Sequence, residues 1–324
     1  MKKVPNIDFI GHRKIYFIIS GVLMAVIVLA TIVLGVDLDI RFKGGTIISY
    51  TYSEADGKEL DLDAVEKTAE DVLGMNVSVD KKFSLLSDTT SFDLVLTDSI
   101  NIEDSMTQSL TDKLNEEHAD YDITYSSITT VDANMGSSFL AKCLVAVIFG
   151  VLIMTIYIAI RFRLISGWSA GVTAVIALIH DMLVVFGVFV IFRIGINDSF
   201  IAVILTILGY SANDTVIIYD RIRENKRLYA KTKDLKEIVN LSVNQTLSRS
   251  IHTSISTILT MLIVVVVAVL FGVTSILSFA FPMIIGLIAG SYSSICVASP
   301  LWYEWQMYKE KHPKKAKTTK KKKK

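Results

Sequence analysis

Cysteine and proline are nearly missing from this chain, with two of the first and four of the second in 324 residues. Both cysteines, Cys143 and Cys296, sit within long apolar runs, so no disulfide framework is available to the polar part of the sequence. Also missing is a Gly-x-x-x-x-Gly-Lys-Ser/Thr loop, the device that cradles nucleotide phosphates, which leaves any ATP hydrolysis to a partner. What the chain has in excess is apolar surface. Hydrophobic residues make up 52% of it and mean hydropathy is +0.50, too apolar for a soluble domain of this length.

A helix needs about 18 or more mostly apolar residues to cross a bilayer. Six stretches qualify: Ile15 to Val36, Phe139 to Ile160, Ile165 to Phe192, Phe200 to Tyr219, Ile251 to Phe271 and Ile276 to Leu301. The first follows Lys2, Lys3, Arg13 and Lys14, as a signal-peptide core would, but no small-x-small cleavage site follows it and its length favours a retained span. Lys and Arg mark the cytoplasmic side. Here they gather before the first span, at Arg161 and Arg163, from Arg221 to Arg249, and after Tyr308.

The expected division is a cytoplasmic N-terminus at 1–14, span one at 15–36, an extracytoplasmic domain at 37–138, and spans two to six at 139–301. A cytoplasmic loop at 220–250 interrupts the spans, and a cytoplasmic basic tail occupies 302–324. The segment 37–138 holds 22 Asp and Glu against seven Lys and Arg, the asymmetry expected of a translocated domain. A net charge of +1 thus hides two oppositely charged faces. From Lys309 onward the tail is nearly all Lys, and like charges at that density repel rather than form a core. It reads as a solubilising end, or as a contact for anionic lipid headgroups or ribosomal RNA.

Within the external segment the pattern alternates over Gly45 to Tyr52, turns helical over Asp61 to Leu73, and alternates again over Val77 to Leu85 and Ser91 to Thr97. A helical stretch at Ile102 to His118 and a strand at Tyr121 to Val131 complete a β-α-β-β-α-β order, the ferredoxin-like arrangement. The expected fold is therefore a membrane α-helical bundle of six spans with an extracytoplasmic α+β ferredoxin-like domain. That domain shows no catalytic constellation. Its one histidine, His118, ends a helix, where a cation suits the dipole, and reads as a surface residue.

Ionisable groups inside spans are costly and usually functional. Asp214 lies in Gly209-Tyr210-Ser211-Ala212-Asn213-Asp214-Thr215, 14 residues in from Phe200, or about 21 Å along the helix. A carboxyl at that depth stays protonated or pairs with a cation. Arg249 opens span five, and its depth permits such a pair; the other reading is an interfacial anchor that snorkels outward. His180 and Asp181, adjacent near the middle of span three, are either a hydrogen-bonded pair that fixes packing or a proton-relay element. No His or Cys four residues beyond His180 completes a zinc site. The hydroxyl and small residues of spans five and six, among them Ser254, Thr257, Gly286, Gly290, Ser293 and Ser294, let helices approach closely, and some line a polar path beside Asp214.

From about Asp8 to Tyr303 these residues resemble the SecF family. The most specific stretch is GYSANDTVIIYDRIREN at Gly209 to Asn225, supported by RFKGGT at Arg41 to Thr46, HD at His180 and Asp181, LSRSIHTSISTIL at Leu247 to Leu259, and GSYSSI at Gly290 to Ile295. Two departures stand out: Arg41 precedes Phe42 where the family has an acid, and Val131-Asp132-Ala133-Asn134 replaces the usual Val-Gly-Pro. The resemblance implies six spans with a ferredoxin-like external domain, in a superfamily of proton-driven transporters of the RND type. It implies a proton-carrying Asp214 with Arg249 on the path, and His180, Asp181, Tyr210, Ser211, Asn213 and Thr215 as supporting polar groups.

The function so implied is that of a non-enzymatic accessory subunit in the bacterial inner membrane. It would pair with SecD, associate with the SecYEG channel and indirectly with SecA, and use the proton gradient to draw unfolded polypeptide outward. No cofactor or metal is implied, Na⁺ stands open as the coupling ion, membrane lipid surrounds the spans, and no specific nucleic acid is expected. Two rivals are a proton-coupled small-molecule exporter, whose relatives usually carry two six-span halves, and an intramembrane protease built on Asp181 and Asp214, whose paired motifs are missing.

Overall fold

The computed structural model describes residues 6–53, 60–82, 89–96, 104–271 and 274–312, so the Lys-rich tail beyond His312 lies outside the described residues. Six helical runs are long and apolar enough to cross a membrane. They are α1 (Arg13–Leu34), α5 (Ala133–Arg161), α6 (Gly167–Ile191), α7 (Asp198–Tyr229), α8 (Leu235–Leu270), and a last run of α9 (Thr274–Ser293), a π-helical turn (Ser294–Ala298) and α10 (Ser299–Lys311). More than half of the apolar core of α6, α7 and the last run is buried, against about a tenth or less for α1, α5 and α8. The first three are the centre of the bundle. The others line its outside, with apolar side chains such as Ile32, Ile148 and Ile263 left outward, as a lipid-facing helix requires.

Glycine sets how closely the central helices approach. Gly286 and Gly290 form a small-xxx-small face on α9. A Cβ on Gly286 would stand 1.9 Å from Ile207 Cδ1, and one on Gly290 would stand 3.1 Å from Ser211 Cβ, so α9 lies almost backbone to side chain on α7. At the α5–α6 corner the fit is as close and the neighbour is backbone, because a Cβ on Gly167 would lie 2.0 Å from the Ala159 carbonyl oxygen. Ser166, just before it, carries φ 70° to make the corner.

Between α1 and α5 sits a four-stranded antiparallel sheet: β1 (Gly45–Ser53), β2 (Val77–Lys82), β3 (Thr89–Leu96) and β4 (Thr124–Val131), in the order β2-β3-β1-β4. Two helices, α3 (Leu62–Leu73) and α4 (Asp104–Glu117), join β1 to β2 and β3 to β4. The alternation read in β1 and β3 turns Ile48, Tyr50, Tyr52, Phe92, Leu94 and Leu96 to one face, where they bury against Val65, Ala69, Leu110 and Leu114. Asp61 caps α3 by accepting from the amides of Asp63 and Ala64, as a helix start requires. His118 is half-buried, with Nε2 shielded from solvent, which corrects its reading as a surface residue. The chain turns back there, the Tyr121 amide donating to the His118 carbonyl, and folds the ring inward.

The sheet is rooted on the membrane helices. A short α2 (Ile40–Lys43) buries Phe42 and stacks it on Phe139 of α5, while backbone bonds join Asp37 and Asp39 to Ile196. Both departures from the family pattern find partners here. Arg41 pairs with Asp198 at 2.6 Å on the surface, and Asp132 caps α5 through the Asn134 amide.

The expected loop at 220–250 is helical except for its turn. α7 continues to Tyr229 and α8 begins at Leu235 with Asp234 as its cap. Its charges are a solvated face rather than a break: Ile222, Ile238, Val239 and Val243 are buried beneath them, and Asn225 donates to Ser242 and Gln245 across the hairpin. The N-terminal segment closes over α8, where Asn244 and Asn240 bond the backbone of Ile7 and Ile10. Asp8 pairs with Lys236 at 2.9 Å. That hydrogen bond, with the Gly11 amide, lowers the Asp8 pKa to about 2. The contact is therefore fully present above the ordinary value of 3.8 and is lost as pH falls through about 2.

We expect Gly167→Ala to lower the thermal unfolding temperature in detergent, because the new methyl meets a backbone oxygen that cannot yield; overpacking of this kind costs about 1–3 kcal/mol. Gly21→Ala, with nothing within 4 Å, should be neutral or slightly stabilising. Equal effects at the two positions would contradict the close-packed corner.

Candidate functional site

Where α6, α7 and the last run meet, the apolar core gives way to polar side chains. Asp181 of α6 is fully buried. Its Oδ2 accepts from Ser211 Oγ of α7 at 2.6 Å and from Ser293 Oγ of α9 at 2.8 Å, while Oδ1 faces His180 Nδ1 at 3.1 Å. A buried carboxyl is tolerable only when its oxygens are supplied with donors, and three separate helices supply these. His180 meets its neighbour even though consecutive side chains leave a helix about 100° apart, because this face of α6 is buried broadly. Its Nε2 is buried and has no hydrogen-bond partner among the described residues.

The same seam continues toward the end away from the sheet. Thr215 and Ser294 share a hydrogen bond at 2.9 Å, and Ser294 Oγ also donates to the Ser211 carbonyl. The π-helical turn at Ser294–Ala298 departs from the regular ladder, as such turns do at functional positions, and the Ala298 carbonyl accepts from Tyr219, itself bonded to Thr173 at 2.7 Å. On the α8 side, Tyr210 donates to Ser254, which pairs with Ser291 at 2.6 Å.

Asp214 differs from Asp181 in kind. It is buried, 1% exposed, and its Oδ2 has no hydrogen-bond partner among the described residues. One helical turn separates it from Ser211 on the same side of α7, so a supplied carboxyl and an unsupplied one flank the same hydroxyl seam. Arg249 does not reach it. The guanidinium is exposed and forms no ion pair among the described residues, since Ser250 and Ser254 take the inward face of α8 and turn Arg249 outward. Asn213 is also exposed. The structure thus brings His180, Asp181, Ser211 and Thr215 into one network, sets Tyr210 beside it, and leaves Asn213 and Arg249 on the outside.

In sequence Ser293 and Ser294 read as packing residues or as part of a polar path beside Asp214, with no sign of their bonds to Asp181, Thr215 and the Ser211 carbonyl. The signal for their larger role is the Gly286-x-x-x-Gly290 spacing just before them, which marks the face of α9 that comes nearest α6 and α7.

Comparison with known proteins fits this architecture. A family model described as protein export membrane protein SecD/SecF, C-terminal, matches residues 110–308. The protein translocase subunit SecF of Calditerrivibrio nitroreducens is 34% identical over 304 residues, which cover 94% of this chain and 95% of that relative. The SecF subunit of Sebaldella termitidis is 32% identical, covering 98% and 97%. The protein translocase subunit SecDF of Brucella abortus is 34% identical across 93% of this chain but only 38% of its own length. The crystal structure of SecDF, a translocon-associated membrane protein from Thermus thermophilus, superposes with a TM-score of 0.78 at 28% identity, covering 95% of this chain and 40% of that one. The chain therefore spans about two fifths of the SecDF proteins it matches and nearly the whole of the SecF subunits.

Removing the supplied carboxyl should hurt the fold, and removing the unsupplied one should not. Asp181→Ala leaves the hydroxyls of Ser211 and Ser293 and the His180 ring without their acceptor, at about 1–3 kcal/mol for each buried group left unmatched. We expect a marked fall in detergent unfolding temperature for Asp181→Ala and little change for Asp214→Asn. The reverse ranking would mean that Asp181 does not hold the three helices together.

Proposed function

We propose, from the premise that the chain belongs to the SecD/SecF family of protein-export membrane proteins, that Asp214 is the group through which it takes up energy from a proton gradient. The chain is a multi-pass membrane protein and an accessory subunit of the Sec protein translocase, in association with SecD. In our reading it lies in the bacterial cell membrane with both termini and the α7–α8 hairpin cytoplasmic, because basic residues cluster there and the acidic segment lies opposite. It works beside the SecYEG channel, and SecA supplies the ATP-driven step. We read the sheet domain as ferredoxin-like, on the strength of its two split β-α-β units and the order β2-β3-β1-β4, and as the part that meets exported polypeptide.

The observation that carries the proton role is the contrast between the two buried carboxyls. Asp181 has three neighbours and is a fastening. Asp214 has a buried oxygen with none. Charge on such an oxygen is costly, so whether it carries a proton depends on what is brought to it. Arg249 is the proposed visitor: it stands on α8, the helix that also carries Ser254 against Tyr210 of α7, and a shift of α8 would alter both contacts. One elementary charge crossing 100 mV yields about 2.3 kcal/mol, so a large movement needs several protons.

The test is transport of a secretory precursor into inner-membrane vesicles, with and without a gradient, at matched protein levels. Asp214→Asn should abolish the gradient-dependent stimulation while ATP-driven export stays measurable, and Asp214→Glu should keep part of it. Arg249→Gln should lower the stimulation and Arg249→Lys restore some. Collapsing the H⁺ and Na⁺ gradients separately identifies the ion. Full stimulation in the Asn variant would make Asp214 a packing residue.

A further inference from the structure

At the end of the bundle away from the sheet, the corner between α5 and α6 opens onto a groove of about 910 Å³. Its deep wall is the last part of α5, where Ile156 and Ile160 face outward. Its rim is cationic. Arg163 is exposed and forms no ion pair among the described residues. Lys309, arriving on α10, donates to Ser166 Oγ at 2.8 Å and stands 5.7 Å from the Trp305 ring, with no carboxylate on it among the described residues. Both positive charges are therefore free to meet an anion at one site.

The surroundings say what kind of anion. Trp168 is 75% exposed and Leu164 80% exposed on the same corner, which is costly in water but natural where headgroups meet hydrocarbon, the level at which tryptophan collects. A small soluble anion would use the two cations and leave the isoleucine wall and the tryptophans bare. A phospholipid uses all of them. We infer that this groove is a binding site for an anionic phospholipid, with its phosphate held between Arg163 and Lys309 and an acyl chain along Ile156 and Ile160. Basic pockets beside membrane helices bind such headgroups. The inference rests on the membrane placement of the helices and not on the proton role of Asp214.

The chain's own fluorescence reads the site. It has three tryptophans, of which Trp302 is fully buried while Trp168 and Trp305 border the groove. The full chain is reconstituted in phosphatidylcholine vesicles containing a small fraction of brominated phosphatidylglycerol or, in parallel, brominated phosphatidylcholine. We expect quenching by the anionic lipid to reflect an enrichment of roughly thirtyfold, the order that two cations near an anionic headgroup supply. The double variant Arg163→Gln, Lys309→Gln should lose that preference with the Lys-rich tail intact, whereas Arg163→Lys with Lys309→Arg should keep it, and so should Arg227→Gln on the neighbouring face. Circular dichroism confirms that each variant is folded. Equal quenching by the two lipids in the wild type, or a preference that survives the double Gln variant, overturns the site. Loss of the preference on adding inorganic phosphate in place of salt at equal ionic strength would also overturn it, in favour of a free-anion site.

Discussion

The bundle depends on one constraint, the need to supply donors to the buried carboxyl of Asp181. An acid in the middle of α6 is a liability unless its oxygens are matched, and the matching groups come from α7 and α9. Those helices reach it only because Gly286 and Gly290 remove the side chains that would hold them off. Ser211 and Ser293 then close on Oδ2, and His180 on Oδ1. Close approach and hydrogen bonding are thus not separate contributions here, since the glycines make the geometry and the hydroxyls make it specific.

This arrangement also explains why the outer helices look so different. With the polar requirements of the centre met by α6, α7 and the last run, α1, α5 and α8 need little more than an apolar outside and a fitted inner edge. Their inner edges do carry a few polar fastenings. Tyr292 donates to the Tyr16 carbonyl and meets Ser20 on α1, and Ser254 does the equivalent on α8. Against this background the unpartnered oxygen of Asp214 is the exception. A protein that meets the needs of one buried carboxyl with three donors has left another with a bare oxygen one turn from the same seam.

Much of this was legible in sequence because hydropathy is written locally. The six apolar runs, the depth of Asp214 and the alternating strands of the sheet all follow from residues near one another in the chain. What escaped was set by angle around a helix axis or by contacts between distant segments. Depth alone allowed Arg249 to meet Asp214, but the inward faces of Ser250 and Ser254 decide its azimuth, and it points out. The partners of Asp181 lie 30 and 112 residues away, and a serine in a span looks the same whether it packs or ligates. The 220–250 stretch reads as a cytoplasmic connection from its charges, and the burial of Ile222 on α7 and of Ile238, Val239 and Val243 on α8 is hidden because it comes from contact across the hairpin.

If one carboxyl is a fastening and the other a proton carrier, the two must differ in whether they titrate. Infrared difference spectroscopy of the reconstituted protein, stepped between acidic and alkaline pH, records the protonated carboxyl C=O stretch directly. A pH-dependent band is expected that Asp214→Asn removes and Asp181→Asn leaves in place. A band that persists in the Asp214→Asn variant and vanishes with Asp181→Asn would contradict that expectation.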